Sequence, residues 1–273
     1  MVRSLEQDME RVRGVEKTWR STPTIEGAGV RLKRAFGHHQ VPQLDPFLLL
    51  DEFRSDDEGD YAAGFTWHPH RGFETITYML AGRLEHRDSL GNEGIIQPSG
   101  VQWMTAGSGI IHQEMPKGPG LVWGLQLWAN LPASHKMIAP RYRDVRASMI
   151  PIVTPAAGVT VKVICGDVGG VKGPVRDIVT DPQYLDVTLE ADATFLHAIL
   201  EQHSALAYVL VGAAKFDERE RNVFGADNVV LFGKGDLVKV KAGHEGVRFL
   251  LISGRPLREP VAWNGPIVMN TQE

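Results

Sequence analysis

Residues 68–82 read HPHRGFETITYMLAG, and this stretch decides how the rest of the chain is interpreted. The run from Thr75 to Ala81 is rich in β-branched, aromatic and aliphatic side chains that alternate with smaller or polar ones, a pattern typical of a strand. Gly82 ends it, as expected where a strand turns. Just before the strand, His68 and His70 are separated by one residue. The stretch therefore predicts a strand that is preceded by a pair of histidines.

Short runs of the same kind recur along the chain, separated by turn signals rich in glycine and proline. They are RLEHRD (83–88), EGIIQ (93–97), VQWMT (101–105), VWGLQLW (122–128), VTVKVIC (159–165), QYLDVTLE (183–190), ALAYVLV (205–211), NVVLF (228–232), LVKVKA (237–242) and VRFLLIS (247–253). This spacing is typical of an all-β sandwich or barrel and not of alternating βα units.

An internal repeat indicates that the β-domain is duplicated. Residues 74–82 align without a gap on residues 204–212, and Tyr78 falls on Tyr208. After an insertion, residues 98–107 align with residues 233–243 with one slip. The repeat predicts two β-domains in tandem.

The repeat also predicts which half carries a site. His68 aligns with Ala198, His70 with Leu200 and Glu74 with Ser204, so the framework recurs and the polar residues do not. Histidines needed for folding would be needed in both copies. We therefore expect a site in the first half and a structural second half.

The resulting domain plan has four parts. Residues 1–14 form an N-terminal extension, 15–132 a metal-binding barrel, 133–150 a linker with a short helix, and 151–273 a degenerate barrel with a tail. The linker prediction depends on the polar segment ASHKMIAPRYRDVRAS (133–148), whose arginines at 141, 143 and 146 suit a solvated helix face.

The two histidines can bind one metal ion, because residues two apart on a strand face the same side. A second pair with this spacing, His112 and Glu114, follows in GIIHQEMP. Three imidazoles and one carboxylate suit Fe, Mn, Ni, Cu or Zn and are too rich in nitrogen for Ca²⁺ or Mg²⁺. The alternative is that each pair is a chance feature of an ordinary strand.

Composition excludes several classes of protein. The net charge of −4, from 29 basic and 33 acidic residues, argues against direct nucleic-acid binding. A single cysteine, Cys165, cannot form an intrachain disulfide and suits a buried strand position. No secretory signal or membrane span is evident. We expect a cytoplasmic protein, with access to the nucleus if the source is eukaryotic.

Five motifs carry a family resemblance: LDPFLLLDEF (44–53), HPHRGFETITYMLAG (68–82), QWMTAGSGIIHQEMP (102–116), GLQLWANLP (124–132) and REPVAWNGPIVMNT (258–271). Together they closely resemble the pirin family of the cupin superfamily, from about residue 15 to the C-terminus. The resemblance implies two jelly-roll β-barrels, with one mononuclear iron, Fe(II) or Fe(III), in the N-terminal barrel. It places the metal ligands at His68, His70, His112 and Glu114.

Two positions distinguish this pattern from that of other cupins. In many other cupins the glutamate at the position of Glu74 is a metal ligand. The resemblance to pirins instead makes Glu114 the carboxylate ligand. Glu74 is then expected to orient an imidazole or to lie on a strand face. Trp103 stands where the usual cupin histidine would be, which fits pirins.

The resemblance implies two functions that the sequence does not separate. The first is a quercetin 2,3-dioxygenase-type ring opening of a flavonol or similar enol by O₂, with Glu114 as catalytic base. The second is an iron-dependent, redox-sensing co-regulator that binds a transcription factor or a metabolic enzyme. A monomer is expected in either case.

The remaining candidates are histidines and apolar side chains outside the proposed ligand set. His38 and His39 suit an exposed turn or a loop by the site entrance, and His86 suits an exposed strand face. A pocket beside the metal, or the core, could take four more side chains: Phe53, Trp67, Met104 and Met115.

Overall fold

The computed structural model describes residues 12–40, 44–217 and 222–272. Most of the extension expected at 1–14 lies outside the described residues. Of its last residues, Arg13 is buried and donates its backbone N–H to the carbonyl of Leu237 at 2.8 Å. Among the described residues, none of the helices combines the length and the apolarity needed to cross a membrane.

The described residues are mostly strands. In chain order these are β1 (Val15–Arg20), β2 (Thr22–Glu26), β3 (Val30–Phe36), β4 (Phe47–Ser55), β5 (Phe65–His70), β6 (Phe73–Ala81), β7 (Arg83–Asp88), β8 (Glu93–Ile96), β9 (Val101–Thr105), β10 (Ile110–Lys117), β11 (Val122–Asn130), β12 (Arg141–Val145), β13 (Ile152–Val153), β14 (Val159–Cys165), β15 (Asp167–Val168), β16 (Val171–Lys172), β17 (Gln183–Leu189), β18 (Thr194–Ala198), β19 (Ser204–Lys215), β20 (Phe224–Gly225), β21 (Asn228–Phe232), β22 (Leu237–Gly254), β23 (Ala262–Asn264) and β24 (Ile267–Met269). One α-helix, α1 (Glu58–Tyr61), and three 3-10 helices, at His38–Gln40, Ala133–His135 and Ala147–Met149, complete the described elements.

The described chain divides into two units. The first contains residues 22–149 and 257–272, and we call it the N-unit. Its seven-stranded sheet has the order β12-β9-β6-β11-β4-β3-β2, and its four-stranded sheet has the order β5-β10-β7-β8. Apolar side chains such as Val30, Phe53, Met79 and Leu84 fill one part of its interior.

The second unit, the C-unit, contains residues 12–21 and 150–256. Its main sheet follows the order β1-β21-β19-β22-β17-β14-β13, with β18 beside β22 and β20 beside β19. On β14 the alternate residues Val159, Val161 and Val163 are buried, as the period of a strand requires. Its interior cluster is apolar.

The two sheet orders show the duplication. β6 lies between β9 and β11, as β19 lies between β21 and β22. Gly82 and Gly212, which end the repeated stretch, both have φ +72, and a Cβ would come within 2.8 Å of the Leu121 carbonyl oxygen and 2.2 Å of the Gly246 carbonyl oxygen. The prediction of an all-β chain with a duplicated domain is confirmed.

The second part of the predicted repeat alignment is wrong. Residues 98–107 contain β9, and the strand that takes the position of β9 in the C-unit is β21. The sequence alignment instead places these residues beside the beginning of β22. The error arises because β22 runs through 18 residues and pairs first with β18 and then with β17 and β19.

The bounds of the N-unit and the C-unit differ from the predicted domain ranges near both ends of the chain, because residues 15–21 belong to the C-unit and residues 257–272 to the N-unit. β1 pairs with β21 and so belongs to the C-unit. In the returning C-terminal segment, Ile267 forms a parallel bridge with Arg71, and the N–H of Val268 donates to the Arg71 carbonyl at 3.0 Å. Long-range strand pairing of this kind leaves no local signal in a sequence.

The expected linker is only partly helical. Its two short 3-10 helices flank β12, which pairs with β9. The prediction that Arg141 and Arg143 lie on a helix face is therefore wrong, because both lie on this strand.

Candidate metal centre

Three histidines meet where β5 and β10 pair. His68 lies directly opposite His112, and His70 lies opposite Ile110. The imidazole centroids of His68 and His112 are 4.4 Å apart, and those of His70 and His112 are 4.9 Å apart. One ligand atom from each of the three imidazoles lies within 4.8 Å of the others, so all three can reach one metal ion.

Burial keeps two of these imidazoles, those of His70 and His112, in the neutral form. Burial, with the neighbouring His68 adding to the effect, lowers the pKa of His70 to about 3. Burial also lowers the pKa of His112 well below its ordinary value, with His70, His68 and His86 adding to the effect. A neutral imidazole keeps the nitrogen lone pair that a metal ion needs.

The Nε2 atom of His112 supports a metal ion in this cluster. It is buried and has no hydrogen-bond partner within the described residues. Buried polar atoms in folded proteins are nearly always satisfied, so such an atom needs an explanation. A metal ion bound among the three imidazoles would supply the missing partner, and the donor set fits such an ion.

Glu114 lies next to this cluster on the same face of β10. Its carboxylate is buried, and it forms a second group with His86 and His112, whose ligand atoms also lie within 4.8 Å of one another. The hydroxyl of Thr77 donates to Oε1 at 2.8 Å, and the amide of Gln126 donates to Oε2 at 2.6 Å. His112 thus belongs to both groups, the one with His68 and His70 and the one with His86 and Glu114.

A cavity of about 610 Å³ opens beside His68 and His70. Its walls include Leu49, Phe65, Trp128 and Trp263, which give a planar molecule apolar and aromatic surfaces to contact. This volume is within the range of roughly 300–1,000 Å³ that is common for small-molecule sites.

The cavity also has a charged wall formed by Glu26, Arg34 and Asp51. The Arg34 guanidinium donates to both carboxylate oxygens of Asp51, at 2.9 and 2.7 Å, and lies 2.9 Å from Glu26. Burial raises the pKa of Asp51 to about 6, although Arg34 acts in the opposite direction. Two carboxylates against one guanidinium leave this wall without excess positive charge at neutral pH.

Comparison with protein-family models matches two regions of the chain. Residues 29–129 match the model described as Pirin, and residues 184–273 match the model described as Pirin C-terminal cupin domain. The chain belongs to the pirin family. The N-unit contains the first matched region, and the C-unit contains the second matched region up to residue 256.

Known proteins resemble this family member over nearly its whole length. A pirin-like protein of Caulobacter vibrioides is 46% identical over 264 residues, covering 96% of this chain and 94% of that protein. A Pseudomonas aeruginosa protein provisionally named as a quercetin 2,3-dioxygenase is 44% identical over 272 residues, covering 97% and 94%. Among solved structures, a quercetin 2,3-dioxygenase from Acinetobacter baumannii has a TM-score of 0.88 at 31% identity, covering 96% and 93%.

In this family member, His86 also lies at the cluster, and the prediction of an exposed position is wrong. His86 is fully buried on β7, opposite Glu114. Its Nδ1 lies 3.4 Å from His112 Nδ1, its Nε2 lies 3.3 Å from the Asp88 carboxylate, and its ring stacks on Tyr142. The sequence RLEHRD could have indicated that His86 is buried, because the strand period places His86 on the same face as the buried Leu84.

Glu74 lies away from the imidazoles. It is buried and accepts a hydrogen bond from the Thr105 hydroxyl at 2.6 Å. Strand alternation places it on the opposite face of β6 from Thr77, which contacts Glu114. Of its two interpretations, the structure therefore favours a strand-face residue over one that orients an imidazole.

The other candidates lie at the cavity, in the core or on the surface. His38 is exposed and lines the cavity, with its ring 5.4 Å from that of Trp263, which matches the entrance-loop alternative. Phe53 and Met104 are buried in the core, whereas Trp67 is 53% exposed. Cys165 is buried on β14, as predicted.

Proposed function

We propose that this pirin-family protein binds one iron ion per chain and opens the ring of a flavonol or similar enol in a quercetin 2,3-dioxygenase-type reaction. The proposed metal ligands are His68, His70, His112 and Glu114. The observation that carries the proposal is the convergence of three imidazoles, two of them kept neutral by burial, at one side of a cavity large enough for an aromatic substrate.

The side chains at the cavity and at the metal centre would have separate roles in this reaction. Trp128, Trp263 and Leu49 would hold the planar rings of the substrate and exclude water from the imidazoles. Glu114, which is buried next to His112, would accept the proton of the 3-hydroxyl as a general base when its carboxylate loosens from the ion. Bound iron would supply the centre at which the enol oxygen and O₂ meet. Both atoms of O₂ would enter the products, one in the ring-opened ester and one in its carboxylate, and C3 would leave as carbon monoxide.

The test is anaerobic reconstitution with Fe(II), followed by oxygen uptake and carbon monoxide release with quercetin. We expect turnover in the native protein and its loss in His68→Ala and Glu114→Ala. A matched control is His197→Ala, which removes a buried histidine of the C-unit and should keep turnover. Iron bound at one per chain without any turnover would overturn the dioxygenase proposal.

A second candidate is the redox-sensing co-regulator, which is favoured by one surface feature. Trp67 and Ile111 are 53% and 48% exposed, and they alternate with His68 and His112 on β5 and β10. A change at the ligands could thus alter an apolar surface that suits a protein partner. Hydrogen exchange of β5 and β10 should then differ between the Fe(II) and Fe(III) forms, and identical exchange would exclude this candidate.

A further inference from the structure

Gln126 on β11 has an amide group whose orientation is fixed by its two neighbours. Its Nε2 donates to Glu114 Oε2 at 2.6 Å, and its Oε1 accepts the indole N–H of Trp128 at 3.0 Å. An indole nitrogen can only donate, so the amide oxygen must face Trp128. The amide nitrogen must therefore face Glu114, and Trp128 excludes the flipped amide.

Glu114 retains capacity for a metal ion in this arrangement. Thr77 occupies one acceptor position on Oε1, and Gln126 occupies one on Oε2. Each carboxylate oxygen has about two acceptor positions, so one remains free of these donors on each oxygen. The two donors restrain the carboxylate without preventing it from binding a metal ion.

Trp128 also contacts the histidine side of the cluster. Its ring lies 5.1 Å from the imidazole of His70 and 4.4 Å from the ring of Phe73, measured between centroids. Trp128 lines the cavity as well. One indole thus borders both the imidazoles and, through Gln126, the carboxylate.

We propose that Trp128 and Gln126 are positioning residues that together set the carboxylate of Glu114 for metal binding. Trp128 acts through the indole N–H that orients Gln126, not through its bulk. The inference rests on the metal centre of the proposed function. If this proposal is right, Trp128 acts on Glu114 only through Gln126. Substituting either residue should therefore weaken metal binding as much as substituting both.

The cavity provides a matched control for this proposal. Trp263 lines the same cavity, but its indole N–H donates to the Gly265 carbonyl at 2.8 Å. Trp263→Phe and Trp128→Phe each remove an indole N–H and keep an aromatic ring. Only Trp128→Phe removes the hydrogen bond that orients Gln126.

The experiment measures Co(II) affinity by competition with a chelator, together with the visible absorption of bound Co(II), in five proteins. These are the native chain, Trp128→Phe, Gln126→Leu, the double variant and Trp263→Phe. Removing a group that orients a metal ligand typically weakens metal binding about 10- to 100-fold. We expect at least a tenfold loss and a shared change in absorption for the first three variants, with the double variant no weaker than Gln126→Leu. Thermal melting would verify that each variant is folded.

Two outcomes would overturn the inference while leaving the metal centre standing. One is that Trp128→Phe binds Co(II) as Trp263→Phe does. The other is that the losses from Trp128→Phe and Gln126→Leu add in the double variant, which would indicate independent structural effects. Failure of the native chain to bind Co(II) would instead overturn the metal centre, and the inference with it.

Discussion

His68 and His112 lie directly opposite each other on β5 and β10, with their imidazole centroids 4.4 Å apart. Metal bound between them would tie the two strands together. We therefore expect free metal at a hundredfold excess over its Kd to stabilise the N-unit by about 2.7 kcal/mol. Thermal melting with Ni(II) and with a chelator checks this. His112→Ala should abolish the difference, whereas an equal response in His244→Ala and His112→Ala would contradict the expectation.

Gly72 is expected to be intolerant of any side chain, because a Cβ would lie 1.9 Å from the Val268 carbonyl oxygen. Gly91 has the same φ of +86 but open space around it. Gly91→Ala should therefore cost about 1–2 kcal/mol, the usual cost of a left-handed conformation. Gly72→Ala should cost more than about 4 kcal/mol, because it adds a clash with the backbone. Urea unfolding of both variants tests this, and equal losses would show that φ alone matters.

Lys136 stabilises the N-unit from within. It is 1% exposed, and its Nζ donates to the Gly72 carbonyl, the Asn130 side-chain oxygen and the Val268 carbonyl, at 2.8, 2.7 and 2.8 Å. Lys136→Met should lower the free energy of unfolding by about 3 kcal/mol or more, because it leaves buried acceptors unpaired. Urea unfolding of the variant and the native chain measures this loss.

Lys117→Met is the control for this substitution, because the Lys117 ammonium forms a partly exposed ion pair with Glu85. That variant should cost no more than about 1 kcal/mol. A similar small loss for Lys136→Met would mean that water replaces the ammonium group.

His197 should make the C-unit sensitive to acid. Burial lowers its pKa to about 4, below the 6.5 of an unfolded histidine. The unfolded chain then binds more protons between these values, so stability is complete above pH 6.5 and falls as the pH drops towards 4. The loss amounts to about 3 kcal/mol at most. The free energy of unfolding of His197→Gln should show a shallower pH slope by up to one proton, and an unchanged slope would refute this origin.

The sequence predicts well what the strand period controls. Residues two apart face one side, and so the spacing alone groups His68 with His70 and His112 with Glu114. His86 follows the same rule, but its flanking arginine and glutamate make RLEHRD look exposed. The fold class follows from the same alternation.

The contacts that depend on distant pairing could not be predicted. Nothing in REPVAWNGPIVMNT indicates that Trp263 would line a cavity with His70, because that contact depends on the bridge between Ile267 and Arg71. The orientation of the Gln126 amide is likewise set by Trp128 and Glu114 together. Such hydrogen bonds exist only after the strands have paired.

The return of the C-terminal segment to the N-unit has a consequence for synthesis. The strands that carry His68, His70 and His112 leave the ribosome long before Trp263, Gly265 and Pro266, which line the cavity. Domains made first generally begin to fold first. The nascent N-unit would therefore present its histidines without this part of their wall, open to any metal ion nearby. Synthesis of the C-terminal segment, and not folding of the earlier strands alone, would then complete this wall.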